Sequence, residues 1–317
     1  LGLCEAAYRL ARDYAAERPS MGKTIDKHEM IADYLDEMRT DVQAIRAIAM
    51  RGAEAEEKAQ KHSLARKLGL SRGELADRRD ARDEKRFAAD ARRVTPLLKY
   101  FASEKAVEMG RRAVQIHGGN GYMKDYGAEK LLRDALVMPI YEGTSQIQSL
   151  MATKDTLSGI MKNPQAFVKR RAQTSFRQLS AKDPLERRVA KISLLAMSAQ
   201  SHLITKTAAD KLASLQEMPF ASWPDAIRKN WDPKRDFAYA MLHAERLTRL
   251  LADELIVETL LEQAKKHSER RELLERFLDR CEPRCRFLHD EITTTGARLL
   301  RKLGRETSPE DGTRAAG

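Results

Sequence analysis

Apolar residues recur every three or four positions along most of the 317-residue chain. This spacing is that of one face of an α-helix, and it limits the possible folds more than any other feature of the sequence. Ala, Leu, Arg, Glu and Lys, which favour helices, dominate the composition, whereas alternating runs of β-branched and aromatic residues are lacking. The sequence therefore predicts an all-α protein.

The first half of the chain divides into helices at its proline and glycine breaks. A helix is predicted from residue 2 to 18, and Pro19–Gly22 ends it. Thr24 or Asp26 is a candidate cap for a second helix that runs to about residue 62. A third helix is predicted to start at Thr95–Pro96 and to reach the glycines near residue 118.

The stretch 61–93 differs in character from its neighbours. It holds eleven basic and six acidic residues, a local net charge of +5, with glycines near its start. We interpret it as a basic inserted segment that is mobile and mostly solvated.

The second half predicts a further helical bundle. A helix from 143 to about 162 ends at Asn163–Pro164, and the polar stretch 165–185 is interpreted as a connection. Three helices follow from residue 186, interrupted by a loop at 218–233 that contains both tryptophans. We predict one domain at 1–162, an accessory bundle at 165–305 and a frayed tail at 306–317.

Charge and cysteine content narrow the classes of partner and compartment. The net charge of +11 favours anionic partners such as nucleotide or CoA phosphates, acidic lipid or nucleic acid, and does not choose among them. Cys4, Cys281 and Cys285 form no disulfide framework, and Cys281 and Cys285 are predicted to pack in a core rather than to bind metal. No metal site is predicted. We expect a bacterial cytoplasmic location, with the mitochondrial matrix as the alternative.

The stretch Gln115–Gln148 reads as a helix end, a glycine turn, a short helix before Pro139 and an acidic turn that opens another helix. Its glycines allow positive φ or close approach of the backbone to a ligand. Glu142 stands at the start of that last helix, where Thr144 or Ser145 is a candidate cap. From these residues alone, Glu142 is a first-turn acid that stabilises a helix N-terminus.

Three parts of this stretch, QIHGGNGY, LLRDA and IYEGTSQIQ, resemble the signature of the flavin-dependent acyl-CoA dehydrogenases in their C-terminal four-helix-bundle domain. ERPSMGKTIDKHEMIADYLDEM resembles the helix pair of that family that reaches FAD, often in the neighbouring subunit. Met21 and Glu29 depart from the family pattern, and the Glu29 carboxylate puts one cofactor contact in doubt. TPLLKYF is similar to a long-chain subgroup with an extra C-terminal helical region.

The resemblance implies α,β-desaturation of an acyl-CoA thioester in fatty acid β-oxidation, with FAD as the hydride acceptor. It implies that Glu142 is the base that removes the α-proton, although some members use an earlier helix, here near Glu5. Tyr141 and Gly143 match substrate contacts. The positions that match FAD contacts are Arg18, Ser20, Gln115, Gly118, Gly119, Thr144 and Gln146. His117, beside the glycines, is interpreted as a packed residue rather than an acid or base.

The resemblance also implies partners: an acyl-CoA substrate, an electron-transferring flavoprotein as electron acceptor, and a homo-oligomer, either a dimer or a tetramer. Because the chain starts at Leu1 and family members carry further N-terminal domains, we expect it to be part of a longer enzyme and inactive alone. The rival interpretation is a non-catalytic flavoprotein of this fold that binds DNA or another anion through its basic surface. Aromatic residues interleaved with the basic ones for base stacking are missing from 61–93, so nucleic acid is not the expected partner, and a membrane-surface role stays open.

Overall fold

The computed structural model describes residues 1–70, 73–216 and 237–306. Their regular structure is helical apart from one small hairpin, which confirms the predicted all-α class. The helices are α1 Gly2–Glu17, α2 Glu29–Lys67, α3 Glu74–His117, α4 Gly119–Tyr122, α5 Ala128–Ala135, α6 Ser145–Lys162, α7 Pro164–Ser180, α8 Pro184–Gln216, α9 Ala238–Leu242, α10 Ala244–Lys266, α11 Arg271–Thr294 and α12 Ala297–Glu306. Short 3₁₀ turns lie at Ile25–Lys27, Lys124–Tyr126 and Ser268–Arg270.

The helix α3 is the element against which the first half of the chain packs. It contacts α1, α2, α5 and α6, and it also reaches α10 of the second half. The predicted apolar stripe of α3 is buried along its length from Phe101 to Ile116. Its members are Phe101, Ala106, Met109, Ala113 and Ile116. The core of this part therefore sits on one long helical face, as the spacing predicts.

A second group of helices is formed by α7, α8, α10 and α11. The helix α10 is buried on most of its surface and packs against α2, α3 and α6 as well as against α8 and α11. Apolar residues spaced three or four positions apart are buried along α8, α10 and α11, and Cys281 and Cys285 lie fully inside, as predicted for core residues. The two groups consequently share one continuous apolar core.

The predicted helix start at Thr95–Pro96 is wrong. The helix α3 begins at Glu74, and Pro96 lies inside it. The highly charged residues after position 74 are good helix formers, and their charges occupy exposed helix faces, as in the 2.9 Å ion pair of Arg66 with Glu84. Much of 61–93 is thus the end of α2 and the beginning of α3, and its status as an insertion stays a prediction.

Three further boundaries differ from expectation. The predicted connection at 165–185 is mostly the helix α7, which starts at Pro164 with the Asn163 side chain accepting a hydrogen bond from the Ala166 N–H. The helix α2 begins at Glu29, so neither Thr24 nor Asp26 caps it, and it extends past residue 62 to Lys67. The segment 218–233 and residues 307–317 lie outside the described residues.

Candidate functional site

The glycine bend that follows α3 is built from close backbone packing. Gly118 ends α3 with a φ of 60°, which favours glycine. A Cβ on Gly121 would lie 2.3 Å from the carbonyl oxygen of Val114, so only glycine fits there, whereas a Cβ on Gly119 would meet nothing within 4 Å. Gln115 and Gly119 are exposed at the surface of this bend. The bend is therefore held from inside and open on its outer side.

His117 anchors the inner side of the bend. Its ring is buried, its Nδ1 atom lies 2.7 Å from the carbonyl oxygen of Ala113, and it stacks on Tyr14 of α1 with ring centroids 4.1 Å apart. Asn120 donates a hydrogen bond of 2.9 Å to the Tyr14 hydroxyl. Burial lowers the pKa of His117, partly offset by the Ala113 bond, so a neutral ring is favoured. This confirms the prediction of a packed residue.

The turn before α6 holds Glu142 in an uncommon backbone conformation. Its φ is 51°, and Gly143 follows with a φ of 90°. The Gln148 side chain donates a hydrogen bond of 3.1 Å to the Glu142 carbonyl, and the Thr144 hydroxyl accepts one of 3.3 Å from the Ile147 N–H. Thr144 is thus the cap of α6, one of the two predicted candidates. A non-glycine residue in this region is strained and persists because its surroundings fix it.

Two residues of α3, Lys99 and Glu104, hold this turn in place, although the sequence does not single them out. Lys99 donates a hydrogen bond of 2.6 Å to the Met138 carbonyl, and its ammonium lies 5.2 Å from the Tyr141 ring centroid. Ser145 donates a hydrogen bond of 2.5 Å to the Glu104 carboxylate. Because both contacts join positions about forty residues apart in sequence, no local pattern could reveal them.

The side chain of Glu142 is exposed, and it makes no hydrogen bond or ion pair with another described residue. Tyr141 and Gln146 are exposed as well. Large apolar side chains are also exposed on both sides of the turn. They are Leu136, Val137, Ile140 and Ile147. The turn therefore presents one carboxylate within an apolar stretch of the surface.

Arg18 and Ser20 lie on the small hairpin between α1 and α2. Strand β1 (Pro19–Ser20) pairs antiparallel with β2 (Lys23–Thr24), and both turn residues, Met21 and Gly22, have positive φ. The sequence predicts a break here but no strands. The Arg18 side chain is exposed and forms no ion pair within the described part of the chain. Its guanidinium is available to an anion.

Glu29, which departs from the family pattern, does not stand as a lone carboxylate. A hydrogen bond from its own backbone N–H and the nearby Lys23 ammonium lower the pKa of this carboxyl. The Lys23 nitrogen lies 3.8 Å from its Oε1 atom. Glu5, the alternative base position, is paired with Arg9 and with Arg46 at 2.7 Å. Both acids are therefore engaged by cations.

The structure thus collects the predicted positions into three local groups. Gln115, Gly118 and Gly119 form the glycine bend, the residues 141–146 form the turn before α6, and Arg18 with Ser20 forms the hairpin. The helix α3 contacts both α4 and α6, so it ties the first two groups to one rigid element. No side-chain contact joins Glu142 to the glycine bend within the described residues.

The helical fold and the two turns agree with the class of protein that the sequence resembles, the helical C-terminal domain of flavin-dependent dehydrogenases. Residues 1–157 match the family model of the acyl-CoA dehydrogenase C-terminal domain, and through this domain the chain belongs to the acyl-CoA dehydrogenase family. No helix in the described ranges 1–70, 73–216 and 237–306 is both long and apolar enough to cross a membrane. In the same ranges, no three His, Cys, Asp or Glu residues are grouped so that they could hold a metal ion.

Curated relatives match the same half of the chain. An acyl-CoA dehydrogenase of Bacillus subtilis (strain 168) is 37% identical over 159 residues, which cover 50% of this chain and 34% of that protein. Acyl-CoA dehydrogenase family member 11 of Caenorhabditis elegans is 35% identical over 150 residues, 47% of this chain and 21% of that protein. The matched segments thus span about a third or less of these relatives.

Solved structures resemble the whole chain. An acyl-CoA dehydrogenase from Bacillus anthracis, complexed with FAD, superposes with a TM-score of 0.66 at 16% identity, covering 96% of this chain and 49% of that one. Caenorhabditis elegans ACDH-11, in complex with C11-CoA, gives a TM-score of 0.58 at 22% identity, covering 100% of this chain and 45% of that one. At these identities the similarity shows a shared fold, and it extends beyond residue 157.

Proposed function

We propose that this chain is the C-terminal part of an FAD-dependent acyl-CoA dehydrogenase that desaturates the α,β bond of an acyl-CoA thioester. Residues 1–162 form its C-terminal helical domain, and 165–305 form an accessory bundle. The family match to residues 1–157 and the whole-chain likeness to a dehydrogenase complexed with FAD support this assignment.

The observation that carries the proposal is the backbone of Glu142. Among the described non-glycine residues, positive φ occurs at Met21 and Glu142, and both lie in segments that match the family's cofactor or substrate contacts. Strained positions of this kind cluster at functional sites, because the surrounding structure must hold them in place. At Glu142, the Thr144 cap and the Gln148 bond supply that support.

Glu142 would act as the base that removes the proton from the carbon next to the thioester carbonyl. A carboxylate base works near neutral pH when apolar surroundings raise its pKa. The exposed Ile140 and Tyr141 provide part of such surroundings, and we propose that other domains of the full-length protein and bound acyl-CoA complete them. Gly143 has a φ of 90°, and a Cβ built on it would lie 2.9 Å from the Gln148 side chain, so only glycine fits the backbone beside the carboxylate.

The residues present fit FAD. Arg18 offers a guanidinium without an ion pair in the described structure, which suits a pyrophosphate. Gly118 and Gly119 leave the outer side of their bend open, with Gln115 exposed beside them, and Thr144 and Gln146 stand at the N-terminus of an 18-residue helix, where free N–H groups favour phosphate. The Glu29 carboxylate is offset by Lys23. When bound, FAD would accept the hydride from the β-carbon; the side chains named here would bind and orient it.

The proposal extends to partners: an electron-transferring flavoprotein as electron acceptor and a second copy of the chain that shares the hairpin site. The rival role of DNA binding through 61–93 is weakened by ion pairs that occupy its basic residues. Arg66 pairs with Asp77 and Glu84, and Arg92 forms two hydrogen bonds with Asp155. Fewer free cations remain to release counterions from a phosphate backbone.

The deciding experiment uses the full-length protein loaded with FAD. Mixing it with an acyl-CoA under anaerobic conditions should bleach the flavin absorbance, and Glu142→Gln should abolish this while the protein keeps its FAD. Glu275→Gln, which changes an exposed acid on α11, serves as the matched control and should bleach normally. Undiminished bleaching in Glu142→Gln would show that another group is the base. Steep loss of DNA affinity with salt, without bleaching, would favour the rival.

A further inference from the structure

A cleft of about 580 Å³ opens where the two groups of helices meet. Its walls come from α3, α6, α7, α8 and α10, so it exists only because the accessory bundle packs on the first domain. Clefts of this volume, which lie at the joint between helical units, are common sites for small ligands. None of the positions assigned to acyl-CoA or FAD lines it.

One side of the cleft is apolar. Leu97, Ile160, Phe167 and Leu251 contribute hydrophobic surface. Gly159 of α6 faces open space, since a Cβ built on it would meet no atom within 4 Å. A chain of methylene groups that packs against this apolar surface is removed from water, which favours binding.

Two buried polar side chains also line the cleft. Gln200 of α8 is only 4% exposed, yet its amide makes no hydrogen bond with any residue that the structure describes. Glu254 of α10 is 3% exposed and accepts a hydrogen bond of 2.7 Å from Arg170 of α7. Because the Gln200 side chain lines the cleft, its amide can donate a hydrogen bond to a polar group that enters there.

The charges around the cleft favour an anion. Four cationic side chains line it, Arg92, Arg93, Lys162 and Arg170, against two acids, Asp155 and Glu254. Lys162, the last residue of α6, forms no ion pair within the described residues, so its ammonium is available to an anion. Arg170 has five donors, and its bond to Glu254 leaves others for a ligand.

We propose that this cleft binds a medium-chain aliphatic carboxylate. The aliphatic chain packs on the wall of Leu97, Phe167 and Leu251, and the carboxylate accepts hydrogen bonds from the Gln200 amide and from Arg170. Burial raises the pKa of Glu254, and the nearby Arg170 guanidinium opposes that rise. Because Arg170 compensates its charge, Glu254 repels a bound carboxylate less than an unpaired glutamate would.

The cleft is separate from the turn that carries Glu142. Both lie along α6, but Glu142 precedes its first residue and Gly159 lies about 21 Å further along the axis, at about 1.5 Å per residue. Binding in the cleft can therefore be tested without changing any residue assigned to catalysis. The cleft proposal does not rest on the proposed dehydrogenase activity.

The test is isothermal titration of the full chain with decanoate. Gly159→Leu fills the open space beside the wall and should weaken binding at least about tenfold. Gln200→Leu removes the amide and should weaken it roughly ten- to a hundredfold, the effect of one hydrogen bond to a charged group. Gly159→Ala, which adds one methyl group, and Lys169→Gln, an exposed cation of α7 outside the cleft, should bind as the unaltered chain does.

The controls separate the proposal from unspecific effects. Circular dichroism and thermal unfolding should show that each variant is folded, and Gln200→Leu still tests the proposal if Gly159→Leu is not. Octyl glucoside, a neutral amphiphile, should bind more weakly than decanoate, and inorganic phosphate should not displace decanoate. Decanoate binding that survives both Gly159→Leu and Gln200→Leu, or equal affinity for octyl glucoside, would overturn the proposal.

Discussion

The Nζ atom of Lys105 lies 2.7 Å from Oδ2 of Asp41, and each side chain is only 5% exposed. This ion pair joins α3 to α2 inside the core, and Lys105 also reaches the Glu108 carboxylate at 2.9 Å. Burial alone would lower the pKa of Lys105, but the two carboxylates hold it above its ordinary value. Lys105, which lies between the buried Phe101 and Met109 on the same face of α3, is thus charged and paired with carboxylates.

Removing the lysine should unfold the protein more easily. Lys105→Met leaves the buried Asp41 carboxyl, whose pKa burial already raises, without the ammonium that stabilises its charge, so we expect a loss of about 3–5 kcal/mol in the free energy of unfolding. Adding Asp41→Leu should recover much of that loss, because no isolated charge then remains at this position. Urea unfolding measures both variants. Lys58→Met, which breaks the exposed pair with Glu54, is the control and should cost at most about 0.5 kcal/mol.

The glycine bend provides a second prediction from two neighbouring glycines. Gly121→Ala would place a Cβ 2.3 Å from the Val114 carbonyl oxygen, so the backbone must shift at a cost of roughly 1–3 kcal/mol or more. Gly119→Ala adds the same methyl group to open space and should be neutral or slightly stabilising. Thermal unfolding midpoints compare the two. Equal effects would mean that the bend is not packed as described.

Acid should destabilise the protein through His117. Since burial holds its pKa in the folded state below the ordinary 6.5, the unfolded chain binds a proton at higher pH than the folded chain does. Stability from this group is therefore complete above about pH 6.5 and declines as the pH falls below it, by at most about 1.4 kcal/mol per pH unit.

Urea unfolding measured at several pH values checks this slope. His117→Gln should make the curve flatter between about pH 6.5 and 5, because no proton is then taken up at this position on unfolding. His267→Gln, a change at an exposed histidine, is the control and should leave the slope as it is. An unchanged slope in His117→Gln would rule out the buried ring as its source.

Much of the fold follows from local spacing. The stripes of α8, α10 and α11 are buried as predicted, because each helix hides one apolar face, and Val189 or Leu247 marks that face without reference to the rest of the chain. The beginning of α3 was missed for a physical reason as well. The charges from Glu74 onward were interpreted as those of a solvated connection, whereas exposed helix faces carry the same charges, and Pro96 is accommodated inside a long helix.

The candidate site depended on the resemblance rather than on the residues themselves. In the sequence, nothing local distinguishes Glu142 from an ordinary first-turn acid, but the structure places it before the Thr144 cap and outside the first turn of α6. Its positive φ depends on partners such as Gln148 that no spacing rule identifies. The hairpin likewise requires positive φ at Met21, which is uncommon for methionine. Lys99 and Glu104, which fix the turn from α3, became visible only in three dimensions.

The cap of α6 allows stability and cofactor binding to be separated. Thr144→Ala removes the hydroxyl that accepts the Ile147 N–H, so it should cost about 0.5–2 kcal/mol in unfolding free energy, whereas Thr144→Ser keeps that oxygen and should cost little. Because Thr144 is one of the proposed FAD contacts, Thr144→Ala should also lower the FAD content of the full-length protein. Asn163→Ala removes the cap of α7 and is the matched control. Asn163→Ala should lose similar stability but keep its FAD, because Asn163 lies at the far end of α6 from Thr144. Equal loss of FAD in both cap variants would mean that overall stability, and not a contact at Thr144, controls how much FAD the protein keeps.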